Sequence, residues 1–275
     1  MSNPVFSNSP AFSPKAAQRQ AAKDAAAAVP IPTAAQLDAH LALPDATAAQ
    51  MDRMSYEDTI VKTAVSFLVL VVGAAAGWFF PIVLFPALII GLVLGLVNSF
   101  KREPSPALIL LYSLAEGALV GAVSAWYNHV SGSGIVPMAV FGTLGVVAVT
   151  LALFASGKVR ASRRATKIFL VALVGYLAFS VVNLGLMLFG VTKSMNGLRD
   201  VVIPGTSIPL GVPLGILVVI MAAYSLVIDF DFVQRGVQSG QPRRYGWTAA
   251  FGIVVTVVWL YLEILRLISY FMPRN

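Results

Sequence analysis

Acidic and basic side chains occur inside long apolar stretches of this sequence, where such residues are rare. Glu116 lies in the middle of one stretch, and Asp229 and Asp231 lie near the end of another. The last stretch contains Glu263 and Arg266. A charged residue at the centre of a membrane helix costs ~2.5–3.5 kcal/mol on insertion scales. Each of these residues is therefore a candidate for moving ions or protons, unless a neighbouring group neutralises it.

The spacing of these residues limits which of them can act together. Glu263 and Arg266 are three residues apart, hence on one helical face, and this spacing predicts a structural ion pair. Asp229 and Asp231 are about 200° apart around a helix, so at most one of them points into a helix bundle. The other is expected to face the headgroup region or to pair with Arg235.

Glu116 has no charged residue within one turn of its own helix. Its carboxyl group must therefore find a partner on another helix, face a water-filled cavity, or be protonated. Two interpretations stay open: a hydrogen-bonded glutamic acid in the core, or a residue of an ion pathway.

Residues for other kinds of chemistry are scarce. The chain contains no cysteine, and its two histidines, His40 and His129, belong to no zinc-binding motif. The last apolar stretch has no lysine for a retinal Schiff base. The serines of Ser131–Gly134 are near His129, but no apolar stretch contains a histidine that could act as a base. We therefore expect no metal site, no cofactor and no enzymatic activity.

The composition identifies the elements that must hold these residues. Of the 275 residues, 58% are hydrophobic and 11% are charged, and the mean hydropathy is +0.82. Soluble domains carry about 25% charged residues, so this chain is too apolar to cover a water-facing surface. From Ile60 onward it divides into seven apolar blocks of the ~20 residues that a helix needs to cross a bilayer. The blocks are Ile60–Phe79, Ile82–Phe100, Pro106–Tyr127, Ile135–Ala155, Thr166–Phe189, Val212–Phe232 and Trp247–Phe271.

These blocks predict an all-α fold, a polytopic membrane protein with a seven-transmembrane-helix bundle and a disordered N-terminal tail. The tail is residues 1–52, which are rich in Ala, Pro, Ser and Gln and lack a sustained apolar run. The membrane domain is residues 53–275. We expect the tail to be solvated, with a partner-binding segment as the alternative.

The net charge of +7 would suggest nucleic-acid binding in a soluble protein. Here most of the Lys and Arg residues lie in the predicted connections between the apolar blocks. The first and third connections contain no Lys or Arg, and the fifth contains only Lys193 and Arg199. The second, fourth and sixth connections hold Lys101, Arg102, Lys158, Arg160, Arg163, Arg164, Lys167, Arg235, Arg243 and Arg244. Because such residues stay on the cytoplasmic side, we expect a cytoplasmic N-terminus, an outside C-terminus, contact with membrane lipids and no nucleic-acid partner.

GxxxG spacing occurs four times in the apolar blocks, and it lets helix backbones approach closely. The pairs are Gly73/Gly77, Gly91/Gly95, Gly117/Gly121 and Gly211/Gly215. Packing within the chain is the simpler interpretation, and a homo-oligomer is the alternative.

Several strings, in this order and spacing, resemble the Bax inhibitor-1 family of transmembrane proteins, in particular its bacterial branch. Lys101–Ala107 followed by Leu111–Gly117 is similar to the junction of the family's second and third helices. Asp229–Phe232 and Leu260–Leu267 look like parts of its sixth and seventh helices. The resemblance covers about Asp52 to Phe271, with the tail outside it.

The resemblance implies two groups of helices around the last helix, and a pH-sensitive calcium leak or cation channel. In the family, aspartates on the sixth and seventh helices share a proton near the cytoplasmic side. The aspartate of the sixth helix best matches Asp231 here, with Asp229 as a poorer match. The position of the seventh-helix aspartate is taken by Thr256. Since threonine cannot share a proton in this way, the pH latch would be absent, altered or rebuilt. Lys101 and Arg102 are possible basic partners.

Two functions therefore remain open. The first is a calcium or cation leak channel of the bacterial cell (cytoplasmic) membrane, with Asp231 as gate carboxylate and Glu116 as an acid in the bundle interior. The second is a non-conducting scaffold or modulator of membrane-protein quality control, which would bind membrane-protein partners through the tail and the GxxxG faces.

Overall fold

A computed structural model describes residue 33 and residues 51–192, 194 and 196–272. Seven long helices occur there, and each is long and apolar enough to cross a membrane, as predicted. They are α1 Tyr56–Phe79, α2 Leu84–Phe100, α3 Pro106–Ser131, α4 Ile135–Ala155, α5 Arg163–Leu188, α6 Gly211–Gln238 and α7 Tyr245–Ser269. Short 3-10 turns at Pro81–Val83 and Gly197–Asp200 precede α2 and α6. The described residues contain no β-strand, and the predicted tail lies almost wholly outside them.

Several helices extend beyond the apolar blocks at their polar ends. α1 begins at Tyr56, before the predicted Ile60, because the Ser55 side chain caps it by accepting a hydrogen bond of 3.2 Å from the Asp58 amide. Ser162 caps α5 in the same way. Hydropathy marks only the part of a helix in hydrocarbon, so these polar first turns fall outside the predicted spans.

Helices α1 and α3 pack backbone to backbone through two GxxxG motifs. A Cβ at Gly77 of α1 would overlap the carbonyl oxygen of Ala118, and one at Gly121 of α3 would overlap that of Ala74. Gly73 and Gly117 make equally close approaches in this interface. The structure thus confirms that these motifs serve packing within the chain.

The other two GxxxG motifs also face neighbouring helices of the same chain. Gly91 and Gly95 of α2 lie against side chains of α3, and Gly211 and Gly215 of α6 lie against the end of α7. All four motifs are therefore occupied inside one protomer.

Helix α7 is the centre of the bundle. It packs against α1, α3, α4 and α6. In contrast, α2 packs mainly on α3, and α5 contacts only α6 and the 3-10 turn Gly197–Asp200 among the elements with several contacts. Buried α7 side chains such as Val254, Leu260 and Leu265 belong to the main hydrophobic cluster. The central position of the last helix agrees with the arrangement that the family resemblance implies.

The end of the bundle at which α1 begins, called the N side below, is closed by contacts between distant parts of the chain. The Met54 amide donates a 2.7 Å hydrogen bond to the carbonyl of Gln241, in the α6–α7 connection. Asp58 forms ion pairs with Lys62 and with Arg243, the latter at 2.7 Å. Lys62 is only 8% exposed and also donates to the Arg243 carbonyl at 2.6 Å. The start of α1 is therefore fixed to the start of α7.

Candidate functional site

A hydroxyl–carboxylate contact joins α6 and α7 inside the bundle. The Thr256 hydroxyl donates a 2.7 Å hydrogen bond to Asp229, and the Ser225 hydroxyl lies 3.2 Å from the same Thr256 oxygen. Gly252, one turn before Thr256, leaves room for this carboxylate, because a Cβ there would be 3.0 Å from it. We call Ser225, Asp229 and Thr256 the α6–α7 polar contact.

The family resemblance favoured Asp231 over Asp229 as the partner of position 256, but the structure places Asp229 there. Asp231 forms an ion pair with Arg235 on its own helix. No polar contact from Asp231 to another helix occurs among the described residues. The physical reason is the angle of about 200° between the two aspartates: once Asp229 faces α7, Asp231 must face away. As expected from that angle, among the described residues only Asp229 makes a polar contact with the neighbouring helix.

Glu116 of α3 faces α2. A Cβ at Gly91 would be 2.8 Å from a Glu116 carboxylate oxygen, and one at Gly95 would be 3.4 Å from the ring of Tyr112. The Gly91/Gly95 motif of α2 thus forms the space that holds these two α3 side chains. Among the described residues no cation pairs with Glu116. Both interpretations of this residue stay open.

These acids lie deep in the membrane-spanning helices. At 1.5 Å per residue, Asp229, Thr256 and Glu116 are roughly 14–17 Å from the N-side ends of α6, α7 and α3. The Tyr112 and Phe251 rings meet edge-on at 5.0 Å and pack α3 against α7 near this depth. The bundle therefore places the carboxyl groups of Glu116 and Asp229 at a similar depth, and neither forms an ion pair among the described residues.

The possible basic partners, Lys101 and Arg102, pair with neither aspartate of α6. Within the described part of the chain, neither forms an ion pair. Together with Arg235 they line a cavity of about 760 Å³ between the α2–α3 connection, the end of α6 and the start of α7. We call it the basic cavity.

A second charged cluster lies at the opposite end of the bundle. Glu263 and Arg266 form the predicted ion pair at 2.7 Å. Arg199, from the turn before α6, also binds Glu263 at 2.7 Å and donates to the Tyr176 hydroxyl at 2.6 Å. Tyr176 in turn donates to Glu263 at 3.0 Å. With Arg199 4% and Glu263 1% exposed, this network fixes the α5–α6 connection to α7.

The buried turn before α6 is held by amide side chains as well. The Asn183 side-chain oxygen accepts a 2.6 Å hydrogen bond from the Leu198 amide, and its nitrogen donates to the Asn196 carbonyl at 3.1 Å. Asn196 donates to Asp200 at 2.9 Å. These bonds satisfy the backbone of a non-helical segment that would otherwise be costly to bury.

Sequence reasoning missed Arg199, which it counted only as a charge of an outer connection, and it missed Lys62 in the first block. A signal existed for Lys62, which is a cation inside an apolar block, four residues after Asp58. Nothing local indicates the partner of Arg199, because 64 residues separate it from Glu263.

Chemically, the α6–α7 polar contact is a one-carboxylate site. It can exchange one proton, and a bound cation would find one charged ligand and two hydroxyls there. Calcium takes six to eight oxygen ligands, and the described residues contain no group of three His, Asp or Glu side chains placed to hold a metal ion. The site fits a transient contact for a passing ion better than a metal-binding centre.

Comparison with known proteins adds an independent result. Among curated proteins, no sequence match to the chain was found. The model of the family described as Bax inhibitor 1 like matches residues 3–273. The match extends further toward the N-terminus than the resemblance inferred above, which began at about Asp52. Because it covers nearly the whole chain, this protein belongs to the Bax inhibitor 1 like family.

Proposed function

We propose that this protein is a pH-sensitive leak pathway for calcium or another cation, with Asp229 as its intramembrane gate carboxylate. The observation that carries the proposal is the hydrogen bond between Asp229 and Thr256 across the α6–α7 interface. The leak activity is what the family resemblance implies, and the chain belongs to that family. The gate role moves from Asp231 to Asp229, because Asp231 is already paired with Arg235 on its own helix.

The proposed gate works through the charge of one side chain. The Thr256 hydroxyl donates to the Asp229 carboxylate and joins α6 to α7. A proton on Asp229 removes the negative charge that would attract a passing cation. We therefore expect the flux to fall in acid and to rise as Asp229 ionises, with Glu116 as a second interior acid.

Ion flux into liposomes tests the gate. The purified full chain is reconstituted with an enclosed calcium indicator, and the rate is followed across a pH series. Asp229→Asn is expected to abolish the pH dependence of the rate. Asp231→Asn is the matched control, with the same chemical change two positions away, and is expected to keep it. A pH profile unchanged in Asp229→Asn would contradict the proposal.

We further propose that the protein lies in the cell membrane with its N side facing the cytoplasm, because the connections rich in Lys and Arg are on the N side. The sequence has no cysteine, so single-cysteine variants report orientation without background. Ser156→Cys, on the N side, should react with a membrane-impermeant maleimide only after cell lysis. Ser133→Cys, at the other end, should react in intact cells. The reverse pattern would invert the topology.

The non-conducting alternative has lost part of its basis, because all four GxxxG motifs contact helices of the same chain. It now depends on residues 1–51. Deleting this segment should leave the flux of a channel intact. A scaffold would pass no ions, either as the full chain or after the deletion. It would also lose its membrane-protein partners when this segment is deleted. Neither reading includes catalysis.

A further inference from the structure

The basic cavity contains two cationic side chains that no acid neutralises. The nearby acids are already engaged elsewhere: Glu103 pairs with Arg244 at 3.0 Å, and Asp231 pairs with Arg235. The side chains of Lys101 and Arg102 form no ion pair and no hydrogen bond with any described residue. The cavity therefore has an uncompensated charge of two on its wall.

Polar groups beside these cations are also unused. The side chains of Gln241 and Thr248 line the basic cavity, and neither makes a hydrogen bond within the described part of the chain. Together with the lysine and arginine they supply ammonium, guanidinium, amide and hydroxyl donors facing one space. Such a set of donors suits a phosphate group, whose oxygens accept several charge-assisted hydrogen bonds.

Another part of the cavity wall is apolar. Ile109, Phe232 and Phe251 line it together with Met54. The cavity thus combines a cationic, donor-rich part with an aliphatic and aromatic part at the N-side end of the helices. A phosphate attached to a hydrocarbon body would satisfy both parts.

We infer that the basic cavity binds a phosphate group, with Lys101 and Arg102 as its charged contacts. The phosphate can come from the headgroup of an anionic phospholipid or from phosphate in solution. The apolar wall favours the lipid, and the two sources are separated by the experiment below. This binding does not depend on whether the protein conducts ions.

Ligand-dependent thermal unfolding of the full chain in detergent micelles tests the site. The unfolding midpoint is followed by tryptophan fluorescence while phosphatidylglycerol, phosphatidylcholine or inorganic phosphate is added, and its shift gives an apparent affinity. A specific phosphate site predicts a shift with phosphatidylglycerol that exceeds the shift with phosphatidylcholine, whose phosphate charge is offset by its own choline cation. A shift with inorganic phosphate alone would show that phosphate from solution is sufficient for binding. No shift with inorganic phosphate would show that the lipid is the ligand.

Matched variants separate the cavity from general surface charge. Lys101→Gln with Arg102→Gln should weaken phosphatidylglycerol binding roughly a hundredfold, because both charge-assisted hydrogen bonds to the phosphate are lost. Arg163→Gln with Arg164→Gln removes the same charge from the exposed start of α5, outside the basic cavity, and should change the affinity little. Lys101→Arg with Arg102→Lys should bind like the unmodified protein.

Two results would overturn the inference. Equal losses of affinity in the cavity variant and in the α5 variant would reduce the effect to general surface charge. Equal shifts with phosphatidylglycerol and phosphatidylcholine in the unmodified protein, with none from inorganic phosphate, would show that the cavity does not recognise phosphate charge. Both variants alter exposed residues at helix ends, so a folded protein is expected in each case, and circular dichroism checks it.

Discussion

The hydroxyl of Thr256 on α7 donates a hydrogen bond of 2.7 Å to the carboxylate of Asp229 on α6. A threonine hydroxyl has one proton to donate, so the Ser225 hydroxyl, 3.2 Å away, must be the donor in its contact with Thr256. The order of donation is thus Ser225 to Thr256 to Asp229. Thr256 is 4% exposed, and a single buried side chain therefore satisfies two groups on the neighbouring helix.

Thr256→Val is expected to destabilise the bundle by ~1–3 kcal/mol, because it keeps the shape of the side chain but leaves a half-buried carboxyl group and a half-buried hydroxyl without their partner. The free energy of unfolding in mixed micelles, titrated with a denaturing detergent, measures the loss. Thr256→Ser keeps the hydroxyl and is the control. Equal losses in the two variants would show that the methyl group, and not the hydrogen bond, stabilises the α6–α7 interface.

Thr256→Asp is expected to make stability depend on pH. It places a second carboxyl group beside Asp229, and two such neighbours share one proton. When both are ionised they repel each other, so the folded variant holds its shared proton more tightly than the unfolded chain does, and its stability falls as pH rises. Unfolding midpoints in mildly acidic and mildly alkaline buffers measure this slope. Thr256→Asn, which adds no charge, should lack it, and a flat profile in Thr256→Asp would mean that the two carboxyl groups do not meet.

Arg199→Gln is expected to destabilise the protein more than Arg266→Gln does. Removing one partner of a buried ion pair costs ~3–5 kcal/mol, and Arg199 also loses its bond to Tyr176. The Arg266 side chain is 29% exposed, so water replaces part of its interaction. Arg199→Lys should restore only part of the stability, because one ammonium does not reproduce the two guanidinium bonds. Unfolding free energies of the three variants in the same detergent give the order, and a larger loss for Arg266→Gln would reverse it.

Much of the fold follows from local pattern. Each helix is marked by an apolar block of the length that crosses a bilayer, and the pair Glu263 and Arg266 follows from a spacing of three residues on one helix. The GxxxG motifs indicate close helix contacts. All these signals lie within one helix, where spacing alone fixes which side chains share a face.

Contacts between helices were not predictable in the same way. A membrane helix is apolar on all faces, so its sequence does not fix its rotation, and the choice between Asp229 and Asp231 as the partner of Thr256 could not be made correctly. Glu263, which binds Arg199, and the Arg243 carbonyl, which binds Lys62, lie 64 and 181 residues away in the chain. Only the packed bundle brings these groups together.

Gly77→Ala is expected to destabilise the protein far more than Gly95→Ala. A Cβ at Gly77 would overlap a backbone carbonyl of α3, which cannot move without separating α1 from α3. A Cβ at Gly95 would lie 3.4 Å from the Tyr112 ring, a side chain that can shift slightly. Overpacking a tight core costs ~1–3 kcal/mol, and we expect this range for Gly77 and less for Gly95.

Unfolding free energies and the oligomeric state in detergent together check this prediction about the two glycines. Because Gly77 packs within the protomer, its substitution should lower stability without changing the mass of the particle. If Gly77→Ala instead altered the oligomeric state and left protomer stability intact, the α1 motif would join two chains. The close approach of α1 to α3 would then not be what holds this part of the bundle together.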